Sequence, residues 1–244
     1  MRNLKLTIEY NGSKFSGWQK QTGKRTIQGE LEEAFFRLTG ENVCIEGSGR
    51  TDKGVHAMAQ IASVQTESKI PLKNFKYALN NQLPSDIRIK KIEIAQKDFH
   101  ARFSSKKKTY RYVVHFGKDK PAISNEMVGF YRNDIDVERL QQAIPLFVGK
   151  HNFKAFCSAN TQVTNFEREV FDLTFSKRGS NGVFEITGNG FLYNMVRIIV
   201  GTLLDYASGK LDLENIEKAF ETGERKYAGT TMEPNGLYLK KVVY

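Results

Sequence analysis

The sequence has few of the residues that form disulfide bonds in small secreted domains or bind metal ions. Its 244 residues include two cysteines, Cys44 and Cys157, and four histidines without the spacing of a ligand set. Two distant cysteines exclude a disulfide framework and argue against a zinc site. We therefore expect two buried thiols in a reducing compartment and no bound metal.

Long hydrophobic runs are also missing. The most apolar stretch, residues 191–204, is interrupted by Asn194 and Arg197 and is too short to span a bilayer. Residues 1–8 alternate between apolar and polar side chains as in a strand, and they do not resemble a signal peptide. These observations predict a cytoplasmic protein without a membrane anchor.

Acidic residues are outnumbered, with 27 Asp and Glu against 37 Lys and Arg, so the formal net charge is +10. A basic excess of this size favours a polyanionic partner, and nucleic acid is the first candidate. An anionic membrane surface is the second candidate, but the sequence contains no basic amphipathic helix that would suit it. A chain of 244 residues is long enough for one large domain or two domains of about 120 residues.

Hydrophobic periodicity predicts the element order β-α-β-β-α-β in the first part of the chain. The strand 87–94 contains a bulge, because its alternation of isoleucines resets at Lys90 and Lys91. The predicted elements are strand 3–10, a helix from Thr26 to Gly40, strands 43–45 and 55–64, a helix from Pro71 to just before Pro84, and strand 87–94.

The same order is predicted to repeat in the second part. Its elements are strand 109–116, a helix from Asp136 through Ile144 and Phe147 to Gly149, strands 166–178 and 183–189, an apolar helix from Phe191, a helix from Asp212 to Thr222, and strand 236–244. The predicted fold class is α+β, with two ferredoxin-like (βαββαβ) units at residues 1–104 and 105–244 and their antiparallel sheets side by side.

Residues 47–57 form a glycine-rich loop between two predicted strands, and the loop carries Arg50, Asp52 and Lys53. Loops held by rigid elements often carry catalytic residues. A surface turn with solvated charges is the more common meaning of such a pattern taken alone.

Arg197 is the only charged residue within residues 191–204. A buried arginine stays protonated and requires an anionic partner, since leaving it unpaired costs several kcal/mol. The other interpretation is that the side chain extends to the surface, and the pattern does not distinguish the two.

Lys106, Lys107 and Lys108 directly precede a strand that carries Tyr110 and Tyr112. Basic residues interleaved with aromatic ones suit single-stranded or flipped-out nucleotides. Core-facing tyrosines beside solvated lysines would give the same pattern. The aromatic residues Phe15 and Trp18 are expected to pack in the core. We find no phosphate-binding loop, dinucleotide fingerprint or Ser-His-Asp arrangement.

These segments together resemble the bacterial tRNA pseudouridine synthase A family over essentially the whole chain. The block of residues 49–52 ahead of residues 54–57 is highly specific to that family. The matching residues are Tyr10-Asn11-Gly12, Phe15, Gly17, Trp18 and Gln19; Gly49-Arg50-Thr51-Asp52 with His56-Ala57; Leu79-Asn80; Leu83-Pro84; Phe99-His100-Ala101-Arg102-Phe103; Tyr110-Arg111-Tyr112; Phe191-Leu192 with Met195-Val196-Arg197; Ala228-Gly229; and Gly236-Leu237-Tyr238-Leu239.

The resemblance implies isomerisation of uridine to pseudouridine at positions 38, 39 and 40 of the tRNA anticodon stem-loop. It implies a homodimer that binds tRNA and needs no cofactor or metal. By position, Asp52 matches the nucleophile and Arg197 the arginine that pairs with it, which places the active site in a cleft between the two units. Tyr110 matches the tyrosine packed against the target base, Arg50 the arginine that displaces the base, and Leu237 an apolar pocket residue.

The chain departs from the family pattern at three places. Asn194 stands where histidine is more usual, Lys108 where arginine is more usual, and residues 230–234 contain less proline and alanine. These departures leave the nucleophile in place but affect the range of targets. A paralogue acting on another uridine or RNA, or a noncatalytic RNA-binding protein of the same fold, are the alternatives. Lys106, Lys107 and Lys108 are expected to contact phosphates.

Overall fold

The structure is a computed structural model that describes residues 1–158 and 163–244. The chain forms two compact units, Met1–Lys106 with Tyr238–Tyr244, and Lys107–Leu237. In chain order the elements are β1 (Arg2–Tyr10), α1 (Ile27–Thr39), β2 (Glu46–Gly47), β3 (His56–Thr66), α2 (Leu72–Gln82), β4 (Ile87–Ile94), β5 (Lys107–Phe116), β6 (Gly129–Tyr131), α3 (Val137–Ala143), β7 (Gly149–Asn152), β8 (Glu167–Arg178), β9 (Asn181–Gly188), α4 (Met195–Ala207), α5 (Leu213–Thr222) and β10 (Leu237–Val243).

The first unit is built around β1, which pairs antiparallel with β3 on one side and β4 on the other. The short β2 pairs antiparallel with β3, which gives the strand order β4-β1-β3-β2 of a ferredoxin-like unit. Leu4, Leu6 and Ile8 are fully buried on one face of β1, as their alternation predicts. The two helices supply Phe35 and Phe75, whose rings meet edge to face at 5.1 Å.

Several local predictions for this unit are confirmed by the hydrogen bonds. The Thr26 side chain accepts a bond from the Gly29 amide at the start of α1, and Gly40 ends the helix in the left-handed conformation. Thr7 pairs with Lys91 while Ile8 pairs with Ile89, so the predicted bulge in β4 is present.

The prediction of a strand at residues 43–45 is wrong. The structure has only the two-residue strand β2 at Glu46–Gly47. The reason is visible at Ile45, whose side chain is fully buried but whose amide donates to the Glu32 carboxylate at 3.1 Å instead of to a neighbouring strand. A buried apolar side chain therefore produced a strand-like pattern without strand pairing.

The second unit has mainly antiparallel strands. β9 lies between β5 and β8 and pairs antiparallel with both, β7 pairs with β8, and β6 pairs parallel with β5. Four alternate residues of β5 form a buried face, and all of them are at most 9% exposed: Tyr110, Tyr112, Val114 and Phe116. The α+β fold class of two ferredoxin-like units is therefore confirmed.

Helix boundaries in the second unit differ from the prediction for physical reasons. The helix capped by Asp136 ends at Ala143 and continues as a 3₁₀ turn over Ile144–Phe147, because Pro145 has no amide hydrogen to donate. The apolar helix begins at Met195 rather than Phe191. The strands β6 and β7 were not predicted at all.

The last strand also falls differently. Residues 236–244 were predicted to belong to the second unit, whereas Tyr238–Tyr244 group with the first. β10 pairs parallel with β3, joining Tyr238 to His56 and Leu239 to Ala57. The Tyr244 hydroxyl donates to the Ala101 carbonyl at 2.7 Å, which holds the end of the chain on the same unit.

Three expectations concern cysteines, metals and membranes. Cys157 is buried as expected, but Cys44 is exposed, so the prediction of two buried thiols is wrong for Cys44. Within residues 1–158 and 163–244, no group of three or more His, Cys, Asp and Glu side chains is placed to hold a metal ion. No helix in this described part is long and apolar enough to cross a membrane.

Candidate active site

The loop that carries Asp52 is fixed to β3 at its beginning. The Ser48 amide donates to the Ile61 carbonyl at 2.7 Å. The buried side chains of Ser48 and Gln60 are joined at 2.6 Å, and Gln60 Nε2 donates to the Gly49 carbonyl at 2.9 Å. Buried polar groups with satisfied bonds rigidify the backbone that they hold. The loop is thus a fixed platform rather than a loose surface turn.

Thr51, the residue before Asp52, is held by a second set of contacts. Its carbonyl accepts from the Trp18 amide at 3.0 Å, and its hydroxyl lies 2.8 Å from the Tyr10 hydroxyl. Gly17 approaches the same carbonyl with a φ of +92°, and a Cβ there would lie 2.7 Å from it. A side chain at Gly17 would therefore push the loop away. Trp18 is only 2% exposed, which confirms its predicted place in the core.

The charged side chains of the loop differ in exposure. Asp52 is half-buried, whereas Arg50 and Lys53 are exposed. The Val55 amide donates to the Asp52 carbonyl at 3.1 Å and closes the turn behind the carboxylate. The structure therefore keeps Asp52 on anchored backbone and lets Arg50 extend outwards from the same loop.

The end of the loop runs into His56, which is 1% exposed. Its Nδ1 accepts a hydrogen bond from the Gly12 amide at 3.0 Å, and its ring stacks on Tyr238 at 4.7 Å. Burial raises the pKa of Tyr238 to about 12. His56 thus acts as a structural link between the loop, the chain after β1 and β10.

In the second unit, Tyr110 is 9% exposed and lies on β5 opposite Ile186 of β9. Its ring meets the edge of Phe191 at 5.2 Å with an interplanar angle of 85°. Edge-to-face contacts of this kind fix the orientation of both rings. Tyr110 is thereby a rigid, largely buried aromatic side chain rather than a mobile surface one.

Arg197 is half-buried and its guanidinium is oriented from two sides. Nε donates to the Met232 carbonyl and Nη1 to Asn194 Oδ1, both at 2.6 Å. Both acceptors are neutral oxygens, so they position the guanidinium without cancelling its charge. Of the two interpretations left open by the sequence, the one in which Arg197 extends freely to the surface does not hold.

Tyr112 lies under the same segment as Arg197. Its side chain has no exposed surface, and its hydroxyl donates to the Glu233 carbonyl at 2.8 Å. Burial raises the pKa of Tyr112 well above its ordinary value, while the positive charge of Arg197 acts in the opposite direction and Glu233 adds to the increase. The phenol therefore stays protonated and remains a hydrogen-bond donor.

The unusual segment 230–234 is held mainly by its backbone. The Thr230 amide donates to Asp205 Oδ2 at 2.7 Å, and a Cβ on Gly201 of α4 would lie 1.7 Å from the Thr230 carbonyl. Carbonyls of Met232 and Glu233 accept from Arg197 and Tyr112. Main-chain atoms of the segment make these contacts, which therefore do not depend on which side chains the segment carries.

Leu237, which follows this segment, is 6% exposed and begins β10.

The three lysines of the sequence prediction do not share one surface. Lys107 and Lys108 are consecutive residues of β5 and therefore lie on opposite faces, with Lys108 on the face of Tyr110. The Lys107 ammonium lies over the ring of Phe171 at 4.5 Å, and the Lys106 amide donates to the Val243 carbonyl at 2.8 Å.

Two residues that support the site were not predicted from the sequence. Tyr112 read as a core tyrosine, which it is, but its buried hydroxyl also needs a partner and finds it in Glu233. Asn194 was noted only as a departure from the family pattern. The signal for Asn194 was present in the sequence, because a polar amide three residues before the single arginine of an apolar segment lies within one helical turn of it.

Comparisons with known proteins identify the family of this chain. A family model described as tRNA pseudouridine synthase matches residues 6–104 and 143–244. The tRNA pseudouridine synthase A of Caldicellulosiruptor bescii is 47% identical over 244 residues, which is 100% of both chains. The protein of the same name from Bacillus subtilis is 42% identical over 99% of this chain and 98% of its own.

A solved structure, titled "Crystal Structure of a Cbf5-Nop10-Gar1 Complex", is similar with a TM-score of 0.43 and 10% identity. It covers 96% of this chain, which spans 57% of the chain in that structure. The sequence relatives match over their whole length, and the family model covers both units. The chain therefore belongs to the tRNA pseudouridine synthase family, whose members are isomerases that act on uridine in tRNA.

Proposed function

We propose that this protein converts uridine to pseudouridine at positions 38, 39 and 40 of the tRNA anticodon stem-loop, with Asp52 as the nucleophile. The observation that carries the proposal is the anchored, half-buried position of Asp52. Its neighbour Thr51 is held by Tyr10 and Trp18, so the carboxylate is presented on backbone that does not need to be ordered when RNA binds.

The reaction is an isomerisation and needs no oxidant or reductant. The bond between C1′ of the ribose and N1 of uracil breaks, and a bond between C1′ and C5 forms. The proton on C5 leaves, and N1 gains a proton from solvent. The Asp52 carboxylate attacks either the sugar or the base to allow the base to detach and turn. Both routes require the ionised carboxylate.

We assign to Arg197 the task of keeping the Asp52 carboxyl group ionised, as the resemblance implies. An arginine beside a carboxylate lowers the pKa of the carboxyl group. Arg197 suits this task because Met232 and Asn194 orient its guanidinium while leaving its charge in place. Double replacement at Asp52 and Arg197 tests the coupling, which a double-mutant cycle measures directly.

The remaining pocket roles follow the chemistry of the side chains. Tyr110, fixed by Phe191, offers an aromatic surface for the target base, and Leu237 offers an apolar contact. Arg50 extends from the Asp52 loop and takes the place of the base that leaves the stem. Flipping a paired base costs a few kcal/mol, so a side chain that fills the gap aids the reaction.

The partner in this proposal is tRNA in the cytoplasm, bound by a homodimer. The net charge of +10 supports a polyanionic partner. We assign a phosphate contact first to Lys108, which shares the strand face of Tyr110, and then to Lys106 and Lys107. Sedimentation of the pure protein with and without tRNA tests the dimer, and a monomer in both states would contradict it.

The experiment that tests the function is mapping of pseudouridine in anticodon stem-loop RNAs after incubation with the pure protein. Three RNAs, each with a single uridine at position 38, 39 or 40, are compared with RNAs that carry cytidine there. The proposal expects pseudouridine in the three uridine RNAs. Modification of another position alone would indicate a paralogue, and tight binding with no product would indicate a noncatalytic RNA-binding protein.

A further inference from the structure

Asn194 has an unusual backbone conformation at the start of α4. Its φ is +59°, and no other non-glycine residue in the described ranges 1–158 and 163–244 has a positive φ. This left-handed region is disfavoured for residues with a Cβ, although asparagine tolerates it better than most. A conformation of this kind is retained where the surrounding contacts require it.

The side chain of Asn194 is not used to cap its helix. Residues at this position normally accept a hydrogen bond from one of the first amides of the helix. Asn194 makes no such side-chain bond. Its position at the helix start is therefore not explained by helix stability.

The Asn194 amide instead joins Arg197 to the neighbouring chain. Oδ1 accepts from Arg197 Nη1 at 2.6 Å, and Nδ2 donates to the Ser158 hydroxyl at 2.9 Å. The Ser158 amide donates to the Tyr193 carbonyl at 3.1 Å, so Ser158 is itself fixed. Because arginine has only donors, the amide oxygen must face the guanidinium, and the orientation of the amide is determined.

We propose that Asn194 is a positioning residue that holds the Arg197 guanidinium in the orientation needed for the reaction. This inference rests on the proposed role of Arg197. The left-handed φ turns the amide towards the guanidinium, and Ser158 fixes the far side of the amide. A neutral acceptor is essential, since a carboxylate at the same place would pair with Arg197 and reduce its effect on Asp52.

Two variants distinguish a loss of Arg197 orientation from a loss of folding. Asn194→Gly keeps the positive φ without strain but removes both hydrogen bonds, and Asn194→Asp keeps the shape but adds a competing charge. Because hydrogen bonds to charged groups are strong, we expect kcat on an anticodon stem-loop to fall about 10-fold to 100-fold in both variants, with KM changed less than about twofold.

The matched control is Asn215→Ala in α5. Asn215 Oδ1 accepts from the Asp212 amide at 3.0 Å, so this variant also removes an asparagine bond at a helix start, but not one to Arg197. We expect the control to keep its kcat. Thermal unfolding of all variants is measured alongside, and a loss of kcat in Asn194→Gly at an unchanged Tm supports positioning.

The decisive comparison is Asn194→Gly in an Arg197→Met background, which removes the positive charge. If Asn194 acts through Arg197, the glycine variant adds little to the defect already caused by methionine. Full kcat in Asn194→Gly, with Arg197→Met impaired, would overturn this inference alone. Full kcat in Arg197→Met would overturn the proposed role of Arg197 as well, so the two failures are distinguishable.

Discussion

Tyr112 and Arg197 hold consecutive carbonyl groups of one segment. The Tyr112 hydroxyl donates to the Glu233 carbonyl at 2.8 Å, and Arg197 Nε donates to the Met232 carbonyl at 2.6 Å. A residue of β5 and a residue of α4 therefore fix the segment that leads to Leu237. The bond from Arg197 to the Met232 carbonyl also orients the guanidinium that we assign to catalysis. The segment and the arginine therefore position each other.

Tyr112→Phe should destabilise the protein and slow the reaction. The Glu233 carbonyl would lose its buried donor, which costs about 1–3 kcal/mol in the free energy of unfolding. Urea denaturation measures this loss, and kcat should fall in parallel because the Met232 acceptor of Arg197 is less well held. The control is Tyr77→Phe, since Tyr77 is 57% exposed. Equal stability of the two variants would contradict the described contact.

Lys108→Ala should flatten the salt dependence of tRNA binding. Removing one phosphate contact reduces the slope of log affinity against log salt by about 1. Lys107→Ala is the matched control, because its ammonium lies over Phe171 on the opposite face of β5. We expect a smaller change in the slope for Lys107→Ala. Equal slopes for both variants would show that the strand face does not select the contact.

Tyr238 should make the protein less stable at alkaline pH. Its pKa is raised by burial from 10.0 to about 12 in the folded state, so between these pH values the unfolded chain loses the proton while the folded one keeps it. Its contribution is complete below pH 10 and is lost as the pH rises towards 12. The stability of Tyr238→Phe should therefore fall less steeply between pH 9 and pH 11.5 than that of the wild type.

Urea denaturation at the two pH values measures this difference, with Tyr77→Phe as the exposed control. A parallel loss of stability in the wild type and in Tyr238→Phe would show that burial does not retain the proton on Tyr238.

Much of the fold could be predicted from local chemistry. The two ends of α1 could be predicted because a threonine side chain accepts a hydrogen bond at a helix start, as at Thr26, and glycine adopts the left-handed conformation at a helix end, as at Gly40. The bulge in β4 was recognised because a single inserted residue shifts the alternation of isoleucines. Such features depend on neighbours within a few residues, which a sequence shows directly.

Other features depend on distant partners and were not predictable in the same way. Ile45 has the side chain of a strand residue, but its amide bonds to the distant carboxylate of Glu32. Met195 begins α4 directly after Asn194, whose backbone is left-handed and whose side chain contacts the distant Ser158 as well as Arg197. The last strand pairs with β3, about 180 residues earlier in the chain.

In the candidate site, too, some features follow from near neighbours in the sequence and others from distant partners. Asp52 and Arg197 were selected from their surroundings in the sequence and from the resemblance. The supporting contacts of Thr51 with Tyr10 and Trp18, and of Arg197 with Met232, join residues that are far apart in the chain. No local pattern shows these contacts, because they arise only when the units fold.

The central claim is that Asp52 performs the reaction, and Asp52→Asn tests it most directly. Asparagine keeps the size of the side chain but cannot supply a carboxylate. Pseudouridine formed in one turnover on an anticodon stem-loop is measured together with the affinity for that RNA, with Asp86→Asn as the control for loss of a carboxylate elsewhere in the unit. We predict no product with Asp52→Asn at nearly unchanged affinity, and product from the control. Pseudouridine formation by Asp52→Asn at the wild-type rate would contradict the account.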